Sequence, residues 1–462
     1  MSILNTIIEH LPEVSRPAQK KLPFKEKLKW TSITLVLFFF LGLIPLFGLG
    51  QNELQRFEFL SIILGASFGS LISLGIGPLV TGSIVLQLLN GSGIMKFDLT
   101  KPEEKARFQG IQKIMGIFFV LFEAIIYVIM GGLAPDPALI GTSSYAYLQG
   151  ILIFQLILGG ILIMFMDEVV SKWGFGSGIS LFIAAGVAQE IFIRAFSPLH
   201  SEQNPEAFVG AIPELFRSLA VGEATTAGIM LSSLLATIVV FVIAVYAESM
   251  KVEIPLSFGR VRGHGIRWPL QFIYTSNIPV ILVAALQANI QLWARLLQNW
   301  GYPLLGTFAG NTPATGLVAW LYAPDLLRKI ITGSVSSIDL GAALAHILFM
   351  TIGSVIFAWF WVQTSGMDAA SQAKQIMKAG LQVPGFRKDE RILERLLERY
   401  ITPLTIMGAV TVGIIAAFAD LAGALSRGTG ILLAVMIIYK LYEEIAKQHM
   451  MDMNPMLRRF ME

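Results

Sequence analysis

The sequence predicts an all-α polytopic membrane protein of ten transmembrane helices, and three observations carry that expectation. The 462-residue chain is 55% hydrophobic and only 14% charged, against about 25% charged in soluble domains. Ten segments approach the ~20 apolar residues a helix needs to cross a bilayer: 30–48, 68–90, 114–133, 148–166, 178–193, 227–246, 269–293, 342–363, 401–418 and 422–441. With the N-terminus inside, the segments between them divide the 34 Lys and Arg residues 27 to 7 in favour of the inner side. The positive-inside rule then expects both termini in the cytoplasm. A net charge of +3 on a chain this size does not argue for nucleic acid, and the absence of Cys excludes disulfides and thiolate metal sites.

Taken in order, residues 1–29 combine a short amphipathic piece with a basic run and lack the apolar region of a cleavable signal, so they are expected along the cytoplasmic membrane surface. The first span, 30–48, is followed by a segment whose apolar part, Phe57 to Ala66, is about ten residues, half a span. Such a piece is tolerated at membrane depth only inside protein or lining a cavity. It is expected to dip in from outside and break at Gly65–Gly69, with the chain then crossing through 70–90.

That second span, SFGSLISLGIGPLVTGSIVLQLL at 67–89, carries four glycines, five Ser or Thr and Pro78. Gly and Pro weaken helices. Here Gly75, Gly77 and Gly82 would allow close helix approach, and Pro78 would bend the span between Ile76 and Val80. Glu123 lies in the middle of the third span. A carboxyl there is either a pathway residue facing a cavity or a hydrogen-bonding link between helices.

Residues 30–193 form one half with five spans, 194–226 an external linker, 227–441 a second half, and 442–462 a cytoplasmic tail. Five spans per half suit an inverted pair, because an odd number flips the second half. Within the second half, Asn277 sits beside Pro279, the outer run GLVAWLYAP at 316–324 is too short to cross, and His346 reads as a packed polar residue. Cytoplasmic loops are expected at about 247–268 and 364–400.

Catalytic patterns are missing. There is no HExxH, no Walker A motif and no Gly-x-Ser-x-Gly elbow with partners. The glycine clusters GFGSG at 174–178 and GTG at 428–430 follow no strand, so they do not read as nucleotide sites. No enzyme activity, cofactor or metal is expected.

LGIGPLVTGSIVLQLL at 74–89, YTSNIPVIL at 274–282, GFRKDERILERLLERYITPLTIMGA at 385–409 and GTGILL at 428–433 together resemble the SecY family of protein-conducting translocase subunits. IPLFG at 44–48 and KPEEKARFQGIQK at 101–113 resemble its archaeal and eukaryotic branch. The resemblance implies two pseudo-symmetric five-helix halves around a central pore, with a lateral exit to lipid and a re-entrant plug at about 57–66. It would make Phe57, Phe59, Leu60, Ile62, Ile63 and Leu64 plug residues.

The same resemblance implies a pore ring of Ile76, Val80, Ile179, Ile183, Ile281 and Leu433. Without it, Ile and Leu in a span are ordinary core. An aliphatic ring would block ions by dewetting and offer no hydrogen bond to snag a passing chain. Thr81, Gln87, Glu123 and Asn277 would form the polar cluster of the lateral gate, displaced by a signal sequence.

The resemblance also implies ribosome docking through Arg260, Arg262, Lys374, Arg387, Lys388 and Arg391, where basic side chains meet rRNA phosphates. The plainer reading of those charges is topology alone. Implied partners are the small subunits SecE and Secβ, the ribosome, secretory nascent chains and the bilayer. The expected location is the cell membrane, or the endoplasmic reticulum in a eukaryote. The competing function is a secondary solute transporter with inverted repeats, which would need a polar midplane cage where this sequence offers Glu123 and little else.

Overall fold

The computed structural model describes residues 10–19, 22–50, 69–91, 94–95, 97, 102–129, 133–200, 205–258, 265–275, 278–299, 301–309, 312–378, 381–382, 389–426 and 428–453. Its helices are α1 (Phe24–Gly42), α2 (Gly77–Gly91), α3 (Pro102–Ile129), α4 (Ser143–Trp173), α5 (Gly178–Phe196), α6 (Ala211–Val221) and α7 (Ala224–Ser249). Strands β1 (Lys251–Phe258) and β2 (Gly265–Gln271) lead to α8 (Ile278–Asn299), β3 (Phe308–Ala309), β4 (Thr312–Pro313), α9 (Gly316–Leu321) and α10 (Leu326–Ile331). The chain continues with α11 (Ser337–Thr364), α12 (Ala369–Lys378), β5 (Leu381–Gln382), α13 (Glu390–Leu421) and α14 (Gly428–Met453).

The expected helical membrane architecture is present. Among the described residues, seven helices are long and apolar enough to cross a bilayer: α3, α4, α5, α7, α8, α11 and α13. The other predicted spans overlap α1, α2 and α14. Two compact units partition the chain. One holds Met1–Leu86, Ala106–Leu234 and Leu433–Glu462, the other Gln87–Lys105 and Leu235–Leu432.

In the first unit, α4 turns one stripe inward, with Leu152, Leu156, Ile163 and Val170 fully buried against Val120, Ala124 and Val128 of α3. Spacings of four and seven keep these side chains on one face of a 3.6-residue helix. The Gly159–Gly160 pair lets two neighbours come close. A Cβ on Gly159 would lie 1.8 Å from the Leu71 carbonyl oxygen, and one on Gly160 would lie 2.6 Å from Val120 Cγ1. Gln155 on the same helix brackets Phe47, donating to its carbonyl and accepting from its amide, each at 2.9 Å.

The start of the second predicted span differs from expectation. Residues 71–76 are turns, and the helix begins only at Gly77. Pro78 therefore occupies the first turn, where its missing N–H leaves no helical bond unmade; it does not bend a span at its middle. Gly69 has φ of +82°, which a glycine adopts without strain. It ends the short pairing of Pro45 with Ser70.

N-terminal residues 12–15 are tied to Lys113 of α3 and to the end of α4. Lys172 donates to the Val14 carbonyl at 2.6 Å, Glu168 accepts from the Val14 amide at 2.9 Å, and Trp173 Nε1 donates to the Ser15 carbonyl at 2.9 Å. The lysine beside Glu13 holds that carboxyl below its ordinary range.

Near α6, Glu214 is buried and accepts from Phe208 N at 2.7 Å and from Arg217 Nε and Nη2 at 2.9 and 2.6 Å. Arg217 pushes the Glu214 pKa below its ordinary value. A depressed carboxyl contributes stability above its unfolded pKa of about 4.3 and loses it as pH falls through the folded value. Protection of the 205–221 amides is expected to stay level from pH 7 to 5 and to fall in acid below that. Glu214→Gln should remove the acid-dependent part; an identical acid limb in that variant would contradict the assignment.

In the second unit, α11 packs on α13. Gly413 meets the Thr351 backbone, its Cβ position 2.9 Å from Thr351 Cα, and Met350, Ala358, Val412 and Ala416 are buried. A capping box starts α11: Ser336 Oγ accepts from Asp339 N at 3.2 Å, and Asp339 Oδ2 accepts from Ser336 N at 3.0 Å.

The region expected as a loop at 247–268 is instead an antiparallel hairpin, and the helix expected from 269 begins at Ile278. Residues 269–271 belong to β2. Alternation puts Ile254 and Leu270 inward, while Glu253 and Arg267 pair across the exposed face at 2.9 Å. Exposed pairs of this kind add little. β5 joins β1 through Ser257 with Gln382 and Phe258 with Leu381. A small three-stranded sheet is thus an addition to the helical fold.

Candidate functional site

In the first unit, the turn before α2, together with α2 itself, carries Ile76 and Val80, linked by a Val80 N to Ile76 O bond of 3.0 Å. Ile76 precedes the helix and accepts its first bond, so it is not a helical residue as expected. α5 carries Ile179 and Ile183, four apart on one face. All four are partly exposed. Ile76 and Ile179 border the same apolar core. Leu433, in α14, is buried. Ile281 lies in α8 of the second unit and is partly exposed.

Thr81 and Glu123 converge on Gly77. Thr81 Oγ1 donates to the Gly77 carbonyl at 2.9 Å, and Glu123 Oε2 lies 3.7 Å from where a Gly77 Cβ would stand. The Thr81 hydroxyl hydrogen is therefore spent on its own helix. Among the described residues, no hydrogen bond reaches Glu123. α2 and α3 approach through Gly82, whose Cβ would lie 3.0 Å from Gly116 N. Gln112 Nε2 also donates to Ser83 Oγ at 2.6 Å, a link that sequence reading did not single out. Gln87 falls in the second unit. Asn277 lies outside the described residues, as do the plug residues Phe57, Phe59, Leu60, Ile62, Ile63 and Leu64.

The two basic segments of the second unit are brought together. Ile254 and Leu270 of the hairpin share one apolar core with Ala373 and Ile376 of α12 and Leu393 and Leu397 of α13. On that body Lys374 and Arg391 are exposed, and Lys374 Nζ stands 3.9 Å from Glu390. Arg260, Arg262, Arg387 and Lys388 lie outside the described residues.

His346 is buried and packed, as its sequence context suggested. Its Nδ1 is 2.8 Å from the Leu321 carbonyl, which also accepts from Gln287 Nε2 at 2.8 Å. A carbonyl only accepts, so Nδ1 carries a proton. Nε2 then faces Asp420 Oδ2 at 3.4 Å.

The SecY family profile matches residues 70–442. "Protein translocase subunit SecY" of Methanothermobacter thermautotrophicus is 46% identical over 455 residues, covering 98% of this chain and 96% of that protein. A solved structure described as "The structure of a protein conducting channel" has a TM-score of 0.80 at 41% identity, covering 97% of this chain and 98% of that one. "Sec61 in the Canine ribosome-channel complex from the endoplasmic reticulum" gives 0.78 at 40% identity, covering 97% of both chains.

Proposed function

The chain belongs to the SecY family of protein-conducting membrane channels, and on that premise we propose how its residues divide the work of a channel. Two halves, 30–193 and 227–441, carry ten spans around the pore. Both termini lie in the cytoplasm, and the membrane is an archaeal cell membrane. Ile76, Val80, Ile179, Ile183, Ile281 and Leu433 form the ring that seals the resting channel, and the 57–66 segment plugs it. The supporting observation is Ile179 and Ile183, large aliphatic side chains four residues apart at the start of α5 and left partly exposed. An apolar constriction of this kind dewets against ions while parting around a polypeptide of any sequence.

Thr81, Gln87, Glu123 and Asn277 hold the lateral gate closed, and an apolar signal helix displaces them on its way to lipid. The approach of Glu123 to Gly77 at the start of α2 supports this reading. Replacing Gln87 and Asn277 by Leu is expected to change how hydrophobic a signal must be to open the channel. Unchanged selectivity in a graded series of signals counts against the gate.

The hairpin and α12–α13 body docks the ribosome, with SecE and Secβ completing the membrane complex. The shared core of those basic segments and the ribosome-bound canine relative support docking. Reversing the charges at Lys374, Arg387 and Arg391 should weaken ribosome binding. It should also flatten the salt dependence, by a slope of about 0.7–0.9 for each rRNA phosphate left without its cation. Binding that keeps its affinity and its salt slope would leave those charges as topology signals alone.

A further inference from the structure

Two aspartates outside the ring, one in each compact unit, make the same arrangement. Asp167, near the end of α4, accepts from the Ile179 amide through Oδ1 at 2.8 Å. Asp420, near the end of α13, accepts from the Gly428 amide through Oδ1 at 2.6 Å and from Thr429 N at 3.4 Å. In both cases the carboxylate of one helix occupies the N-terminal turn of the next, where amides have no intrahelical acceptor.

The first residue of each capped helix is a glycine pressed on the aspartate's own turn. A Cβ on Gly178 would lie 2.5 Å from Asp167 Cα. One on Gly428 would lie 2.1 Å from Ala419 Cβ and 2.5 Å from Asp420 N. These close approaches account for one glycine in each of the two clusters that matched no nucleotide motif. Counting from those glycines, Ile183 and Leu433 stand at the same register, five residues along α5 and α14. At 1.5 Å per residue that is about 7.5 Å beyond the clamp. In the second unit the clamp extends further, since Asp420 Oδ2 faces His346, itself held by the Leu321 carbonyl.

We propose that Asp167 and Asp420 are paired positioning residues, each fixing the height and rotation of the helix that carries Ile183 or Leu433. The proposal rests on the ring reading above. Neither aspartate touches the ring residue; each acts through the first turn and the close-packed glycine. A side chain that keeps an acceptor at Oδ1 preserves the clamp, and one that lacks it frees the helix start.

The test uses the full complex in liposomes with Asp167→Ala, Asp420→Ala and the acceptor-retaining Asp167→Asn and Asp420→Asn. Loss of a cap at this position should speed amide exchange in the first turn of α5 or α14 about fivefold. Resting ion leak should rise with it, and the Asn variants should return both readings to wild type. An Ala variant that is folded but keeps wild-type exchange, or loses protection without leaking, overturns the proposal. So does an Asn variant that leaks as the Ala variant does. If the Ala variants do not accumulate, exchange in the unmodified complex decides. Ile179 and Gly428 amides exchanging as fast as uncapped first-turn amides would overturn the clamp, and slow exchange there would support it. Ile183→Ser and Leu433→Ser run alongside as controls. If they leak and the Ala variants do not, only this proposal fails; if they do not leak, the ring reading fails with it.

Discussion

Replacing Gly159 by alanine is expected to cost about 3 kcal/mol, the upper end for overpacking a close-packed interior. The added Cβ would stand 1.8 Å from the Leu71 carbonyl oxygen and 2.8 Å from its carbon. Both are backbone atoms, so no flexible side chain can yield. Gly160→Ala should cost less, about 1 kcal/mol, because its obstacle is the Val120 side chain. Gly150 on the same helix has nothing within 4 Å of its Cβ position, so alanine there should be neutral or stabilising by up to about 1 kcal/mol. Thermal unfolding of the purified protein should fall by about 3 °C for Gly159→Ala and not for Gly150→Ala. Equal melting of the two variants would mean that α4 does not seat the 71–76 turns. Because those turns end in Ile76, the residual folded channel of Gly159→Ala should also leak.

Making the ring polar is expected to have the largest functional effect. Ile183→Ser or Leu433→Ser removes most of an aliphatic side chain and puts a hydroxyl in its place. If half or more of the ~2 kcal/mol hydrophobic contribution of such a side chain opposes wetting, resting ion conductance should rise at least about fivefold per substitution. Planar-bilayer recording of each variant without substrate checks this. Conductance at the wild-type level in both would remove these residues from the seal.

Much of the membrane fold was legible because its signal is compositional: a run of ~20 apolar residues reads the same whatever it packs against. The α3, α4, α7 and α11 helices overlap their predicted spans for that reason. Tertiary detail erased the signal elsewhere. The apolar run 269–293 hid the end of β2, because a strand residue and a span residue look alike, and Pro255 masked the alternation of Val252, Ile254 and Leu256 in β1. Ahead of α2 the Ile72 carbonyl closes a turn with the Gly75 amide and the Leu71 carbonyl lies against Gly159 of α4, neither of which leaves a mark in residues 67–89.

The site was legible only in part. Aliphatic ring positions are indistinguishable from core by residue type, so family motifs were needed to single them out. Gly159, Asp167 and Asp420 carried no motif, because their significance lies in what approaches them. An aspartate at a helix end reads as a solvated charge until the amides of the next helix are seen on it. The helix-initial glycines Gly178 and Gly428 follow Asp167 and Asp420 by eleven and eight residues, a spacing too irregular to read as a motif.

Passage of a polypeptide through the ring is tested most directly by photocrosslinking from Ile183 and Leu433 to a stalled secretory nascent chain. Phe154, exposed on α4, serves as the off-pathway position. Adducts are expected from both ring positions, dependent on a functional signal sequence, and none from Phe154. Absence of adducts at Ile183 and Leu433, with solute-dependent uptake into vesicles in their place, would contradict it and favour a small-solute transporter.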